Sequence, residues 1–413
     1  MFKINFDSKK TILENGLEVL TIKNSSQIAS VNIGVKVGAM YENDDERGIS
    51  HFIEHMLFKG TSNRNNEEIN DELEFLGGEY NAYTDYDATV YTISCLADEI
   101  ENAIRLLSDM ISKSTFPESE LEKERGVIIS EIKSGKDDIE DLSFKRVNEI
   151  GFSKSPLKYD VTGTEKNVSR YNRDDLNKYY KRYYIPNNSI VAVVSPLEHD
   201  EIIKVIKECL GKWKSGNNIE EISIKEDNVE TIRTSYKRDI EQSTIIYLYT
   251  FYDLDKQYEL PLRILNNRLG ESSNSLLFRE IREKRGLAYD IYTHLESTSL
   301  VKTLYIYTAV AKEDIQETKR SIDEAINNIV DNKIIFNDRD LEIMKKVHKT
   351  AVINTLEDSS ELCNYVLHQE LDGEDIYEFV HDMEELNKID INTLNLVAKK
   401  VLKNPTIHIL TSN

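Results

Sequence analysis

The sequence predicts an α+β fold made of two structurally similar α+β domains, each a mixed or antiparallel sheet packed with helices. Three observations carry this expectation. The chain is 413 residues long, more than one ordinary core requires. Apolar runs of strand length are interspersed with stretches that read as helices from their periodicity, caps and stops. The order of elements in the first half then returns in the second.

The first strands are Leu17 to Ile22 and Ala29 to Val37, where apolar residues alternate or run together, followed by a helix from about Gly48 to Lys59. An acidic helix near Glu67 to Leu76 ends in a Gly77-Gly78 turn, strands follow at Glu79 to Thr84 and Thr89 to Leu96, and a helix runs near Asp98 to Ser112. Pro117 suits a first helical position and opens a long helix through about Ser134, and after the stop at Pro186 comes a strand at Ser189 to Val194. The second half offers a strand at Thr244 to Thr250, helices at about Leu260 to Leu269 and Ser275 to Lys284, strands at Leu287 to Leu295 and Leu304 to Val310, and a helix from Glu313 to Val330. Leu96-Ala97-Asp98-Glu99-Ile100 and Val310-Ala311-Lys312-Glu313-Asp314-Ile315 fall at matching strand-to-helix junctions. The expected boundaries are therefore 1–210, a polar linker at 211–236, and 237–413.

Composition narrows the function classes. Net charge is −22, with 52 Lys and Arg against 74 Asp and Glu, so nucleic acid is not an expected partner. The acid is either a solvated surface or an acidic compartment that attracts basic peptides. No apolar run approaches the roughly 20 residues that span a bilayer, and mean hydropathy is −0.49, so no membrane is expected. Met1 to Lys10 lack the features of a secretory or organellar leader, which points to the cytoplasm. Cys95, Cys209 and Cys363 are far apart and read as buried thiols.

Chemistry concentrates in Gly48-Ile49-Ser50-His51-Phe52-Ile53-Glu54-His55-Met56-Leu57-Phe58. Histidines four apart stack on one helix face, so both imidazoles can reach one ion, with Glu54 beside them. Zinc takes imidazole nitrogen readily, and a catalytic site adds a third protein ligand and a water whose pKa falls to about 7. Glu54 would take the proton of that water. The alternative is a polar helix face, but apolar Phe52, Ile53, Met56 and Leu57 make such a face costly to bury unpaired. On the helix after Pro117, Glu124, Val127, Ile128 and Glu131 share a stripe. Either Glu131 completes the metal set with Glu124 supporting a ligand's ring N–H, or the face is simply exposed. His199, His294, His348, His368, His381 and His408 lack ligand spacing and read as ordinary histidines.

His51-Phe52-Ile53-Glu54-His55, with Glu131 seventy-six positions after His55, resembles the inverted zinc motif of the pitrilysin-type (M16) metallopeptidases. That family includes insulin-degrading enzyme and the mitochondrial processing peptidases. Gly77-Gly78, Asn81-Ala82-Tyr83-Thr84, Asp87, Thr89, Tyr91, Tyr184-Ile185-Pro186-Asn187-Asn188 and Arg282-Glu283-Lys284-Arg285-Gly286-Leu287-Ala288-Tyr289 resemble family blocks in family order. The length is similar to the short-chain, processing-peptidase-like branch (M16B), whose chains form half of a clamshell.

The resemblance implies one Zn2+ per chain on His51, His55 and Glu131, Glu54 as general base, and Glu124 as support for the ligands. It also implies an endopeptidase acting on peptides or unfolded segments inside a closed chamber. Substrate would add as a strand to the segment of Asn81, Ala82 and Thr84. Arg282 and Tyr289 match the family's substrate-contacting pair, Tyr289 with a catalytic part in oxyanion stabilisation. Read without the family, Arg282, Lys284 and Arg285 are also ordinary cations at a helix C-terminus. A homodimer is the implied assembly, with a heterodimer beside a zinc-less chain and a non-catalytic scaffold as the alternatives. Departures from the pattern are Ser155 before Pro156, Ser195 at the strand end, and the glycine-poor loop Gly270-Glu271-Ser272-Ser273.

Overall fold

The computed structural model describes residues 6–220, 222, 224–333 and 336–413. Met1 to Asn5 of the start and residues 221 and 223 of the expected linker lie outside the described residues. Two compact units are interleaved along the chain. One takes Met1–Ile132, Asp160–Ile222 and Val352–Glu378, the other Lys133–Tyr159, Ser223–Ala351 and Phe379–Asn413.

The first unit holds a six-stranded sheet: β1 (Asp7–Ile12), β2 (Glu18–Lys23), β3 (Ile28–Val35), β4 (Glu79–Thr84), β5 (Thr89–Leu96) and β6 (Ser189–Ser195), in spatial order β1-β2-β6-β3-β5-β4. β2 and β6 run parallel and every other pair is antiparallel. β3 and β6 are buried on both faces, which explains their continuous apolar character. One face packs on α1 (Ile49–Leu57), α2 (Asn66–Phe75), α3 (Ile100–Lys113) and α4 (Glu118–Asp137) through the main core. On the other face, Leu20, Ile22, Val90, Ala192 and Val194 meet Leu362, Cys363, Val366 and Leu367 of the helix Ser359–Asp372. This cover comes from far along the chain.

The second unit repeats the plan with one strand fewer. β7 (Thr231–Tyr236), β8 (Ser243–Thr250), β9 (Ala288–Ser297), β10 (Lys302–Val310) and β11 (Thr406–Thr411) lie in the order β7-β11-β8-β10-β9, again with a single parallel pair, β7 with β11. Here the covering helix is α5 (Ile139–Gly151), drawn from the first half of the chain. The two covering helices correspond closely: Asp138 and Asp358 cap them alike, each accepting from the second and third N–H of its helix. The fifth residue of each is a small, fully buried group against the sheet. Ser143 Oγ lies 2.5 Å from Thr244 Oγ1, and Cys363 Sγ lies 3.4 Å from the carbonyl of Ala192. Cys95 is buried too, whereas Cys209 is only half-buried.

The structure departs from the sequence reading in three places. The halves are not contiguous domains at 1–210 and 237–413, because each donates a helix to the other's sheet. The expected linker at 211–236 ends in a strand, β7, the counterpart of β2. Thr231-Ile232-Arg233-Thr234-Ser235-Tyr236 is an edge strand with mostly exposed side chains, so it carries no apolar alternation to read. In the second half, the expected helix at Leu260 to Leu269 is α-helical over Glu259–Asn266 and widens into a π-type turn at Asn267–Glu271. Among the described residues no helix is long and apolar enough to cross a membrane.

Candidate metal centre

Local sequence fixes how α1 enters. Gly48 has φ of +87°, and a Cβ there would stand 2.5 Å from the carbonyl oxygen of Thr162, so glycine is required. Gly48 has no side chain to cap the helix. The buried Glu42 carboxylate does so instead, accepting from the N–H of Gly48 at 2.8 Å and of Ser50 at 2.9 Å. Burial pushes the Glu42 carboxyl up to about 7, against those hydrogen bonds. Phe52, Ile53, Met56 and Leu57 are fully buried and hold α1 in the core, leaving His51 and His55 half-buried one turn apart.

The sequence-derived set converges. His51, His55 and Glu131 each offer one ligand atom, all within 4.8 Å of one another. Glu131 Oε2 lies 3.9 Å from His51 Nε2 and 3.6 Å from His55 Nε2. Ligands about 2 Å from a tetrahedral ion stand about 3.3 Å apart, so a small contraction would close the set on zinc. The remaining nitrogen of His51, Nδ1, is buried without a hydrogen-bond partner among the described residues. His55 Nδ1–H donates to Glu124 Oε2 at 3.0 Å, which directs Nε2 toward Glu131. Lys59 Nζ donates to the other oxygen of Glu124 at 2.9 Å. The donor set of two imidazoles and a carboxylate is one that zinc accepts.

Electrostatics separates the two histidines. Burial, helped by the neighbouring His55, pushes His51 down to about 3, which keeps its ring neutral as a ligand requires. Burial also opposes charge on His55, but the hydrogen bond to Glu124 and the carboxylates of Glu131 and Glu54 outweigh it and raise its pKa. Glu124 is itself buried, yet hydrogen bonds from His55 and Lys59 hold it below the usual carboxylate range. Glu54 is raised by burial, against the hydroxyl of Thr84, which donates to Glu54 Oε2 at 2.6 Å. Glu54 Oε1 has no hydrogen-bond partner among the described residues.

Of the expected substrate residues, Asn81 is exposed while Ala82 and Thr84 are half-buried on β4, which pairs with β5 alone and forms the sheet's outer edge. Arg282 and Tyr289 belong to the second unit. The Arg282 guanidinium lies 4.7 Å over the ring of Phe278 and 5.3 Å over that of Tyr289, which is 74% exposed. Their neighbours behave differently: Lys284 pairs with Glu280, and Arg285 with Glu317 and Glu324. Sequence reading missed the hold of Lys59 on Glu124 and of Thr84 on Glu54. The first had a signal, since Lys59 falls four residues after His55. The second crosses from helix to strand and had none.

The repeated sheet, with the inverted His-His-Glu group beside it, is the architecture of the M16 class of peptidases. The chain belongs to the M16 peptidase family in its two-domain, short-chain form. The model described as insulinase (peptidase family M16) matches residues 18–165, and that described as the peptidase M16 inactive domain matches residues 170–347. The uncharacterized zinc protease YmxG of Bacillus subtilis is 28% identical over 403 residues, covering 95% of both chains. An uncharacterized zinc protease of Rickettsia felis is 32% identical over 342 residues, 81% of each. The crystal structure of a protease from Helicobacter pylori shares the fold at a TM-score of 0.90 and 21% identity, covering 98% of this chain and all of that one.

Proposed function

We propose that the chain is a zinc endopeptidase that cuts peptides or unfolded segments inside a closed chamber, binding one Zn2+ on His51, His55 and Glu131. The observation that carries this reading is the convergence of those three ligand atoms within 4.8 Å, with the Glu54 carboxylate one residue from His55. Zinc, when bound, supplies a Lewis acid that makes water acidic enough to lose a proton near neutral pH. His51, neutral in its buried setting, and His55, oriented by Glu124, hold the ion together with Glu131. Thr84 fixes the rotation of Glu54 through Oε2, so Oε1 is the atom that receives a proton from water and returns it to the leaving amine. The outer edge of β4 offers main-chain groups to an extended peptide, which binds by backbone pairing and so tolerates varied sequences. In a homodimer, Arg282 and Tyr289 of one copy would complete the other's site, Tyr289 facing the tetrahedral oxygen. A scaffold without activity would be free to lose Glu54 or a ligand, and this chain keeps the full set.

The test is zinc analysis and a quenched-peptide assay on wild-type and Glu54→Gln protein. Glu54→Gln is expected to keep its zinc and lose about 10²–10⁴-fold in turnover. Near-normal turnover in the zinc-loaded variant would overturn the assignment.

A further inference from the structure

An edge strand that receives substrate must itself be held still, and on the face that carries α1 this is done for β4 by Ala82 against the core, Tyr80 beside Phe58 and Thr84 on Glu54. β4 pairs with β5 only, and its first three residues, Glu79 to Asn81, are exposed. Alternation sends neighbouring side chains to opposite faces of a sheet. Thr84 therefore points to the face that carries α1 and reaches Glu54, while Tyr83 points to the face covered by the helix Ser359–Asp372. There the Tyr83 hydroxyl donates to Asn364 Oδ1 at 2.8 Å and lies 2.7 Å from His368 Nε2. The phenol and imidazole planes are 10° apart with centroids at 6.1 Å, so the two rings lie nearly coplanar, end to end across that contact. With the hydroxyl proton committed to Asn364, His368 donates its Nε2–H to the phenol oxygen, so that oxygen is held from two sides.

Asn364 and His368 are four residues apart and share one face of their helix. That helix is anchored by the fully buried Leu362, Cys363, Val366 and Leu367, so the two polar groups stand on a rigid support. We propose that Tyr83 is a positioning residue: through Asn364 and His368 it pins β4 from behind, so that the edge receiving the peptide is ordered before the peptide arrives. This rests on the peptidase reading above, in which β4 takes substrate by strand addition. A strand already ordered costs a peptide less on binding, and the saving grows with the length of strand that the peptide pairs with.

The experiment compares kcat and KM for zinc-loaded wild type, Tyr83→Phe, His368→Leu and His368→Gln on two quenched peptides. One is long enough to pair along all of β4, and the other reaches only Ala82 to Thr84. Tyr83→Phe and His368→Leu should raise KM for the long peptide about 2- to 10-fold, the scale of one net hydrogen bond, with less effect on the short one and less change in kcat. His368→Gln, whose amide can still donate to the phenol, should restore wild-type values. Zinc content should be the same in all four proteins. An unchanged KM in Tyr83→Phe and His368→Leu would overturn the proposal. So would equal losses on both peptides that His368→Gln fails to restore, because these would mark a merely structural contact. If wild type cleaves neither peptide, it is the peptidase reading that falls.

Discussion

The two sheets share a strand order apart from β1, but the helices that follow β3 and its counterpart β8 have diverged. After β3 comes α1, which carries His51, Glu54 and His55. After β8 comes Glu259–Asn266, whose sequence Glu-Leu-Pro-Leu-Arg-Ile-Leu-Asn has neither histidine nor a second acid. The long helices behave likewise. α4 and the helix Asp338–Glu357 are both 20 residues long and are each followed by a capping aspartate, so Glu124 and Glu131 correspond to Met344 and Ala351. Met344 is buried in the second core. The framework is thus indifferent to the chemistry placed on it: apolar positions build the sheet and its cover in both units, and a few exchanged side chains give one of them the His51, His55 and Glu131 cluster.

That comparison can be broken most severely at its polar positions. Glu131→Ala removes one of three ligands and should abolish stoichiometric zinc binding, with at least about 10²-fold loss of peptidase activity. Metal analysis after dialysis decides it, and full occupancy would assign the third ligand to another carboxylate. Met344→Glu makes the opposite change, placing in the second core the charge that Glu124 carries in the first. Buried among the apolar side chains of the second core, the carboxylate should cost about 2–4 kcal/mol in urea unfolding. Glu124→Gln keeps the shape but loses the charge that Lys59 and His55 share. A chelator competition should then show about 10- to 100-fold weaker zinc affinity, with the ligands still in place.

The smallest effect concerns the second sheet. His408 on β11 is buried beside Ser235, and burial, with Arg146 nearby, pushes it down to about 4 from an ordinary value of about 6.5. The unfolded chain therefore binds the extra proton first. His408 contributes its full stability above about pH 6.5 and loses it as pH falls toward 4. His408→Gln should flatten that part of the stability curve by about 1–2 kcal/mol at pH 5, read by denaturant titration at several pH values.

His51 and His55 were legible as a pair because their message is local: residues four apart on a helix must share a face, whatever the rest of the chain does. The inner strands were legible because burial on both faces demands continuous apolar runs, as in β3 and β6. β1 and β7 were not, because Asp-Ser-Lys-Lys-Thr-Ile and Thr-Ile-Arg-Thr-Ser-Tyr lie at sheet edges and leave most side chains in solvent. The helix Arg173–Tyr183 was hidden by its polar composition, although Asn172 and Asp175 form a capping box at its start. The exchange of α5 and Ser359–Asp372 between sheets had no local signature, since it pairs segments 101 residues apart at Ser143 and Thr244 and 171 apart at Cys363 and Ala192. For the same reason, the bond of Tyr83 to His368 could not be seen before the fold was.

The late arrival of Ser359–Asp372 also sets a timetable for synthesis. β6 completes the first sheet at Ser195, but the helix that covers its second face is made only after roughly 180 more residues, about 10–40 s at ribosomal speed. Through that interval Leu20, Ile22, Val90, Ala192 and Val194 have no native cover, and Tyr83 has no helix to hold. A nascent chain can therefore bring His51, His55 and Glu131 together while the partners of Tyr83 on the neighbouring strand have yet to be made.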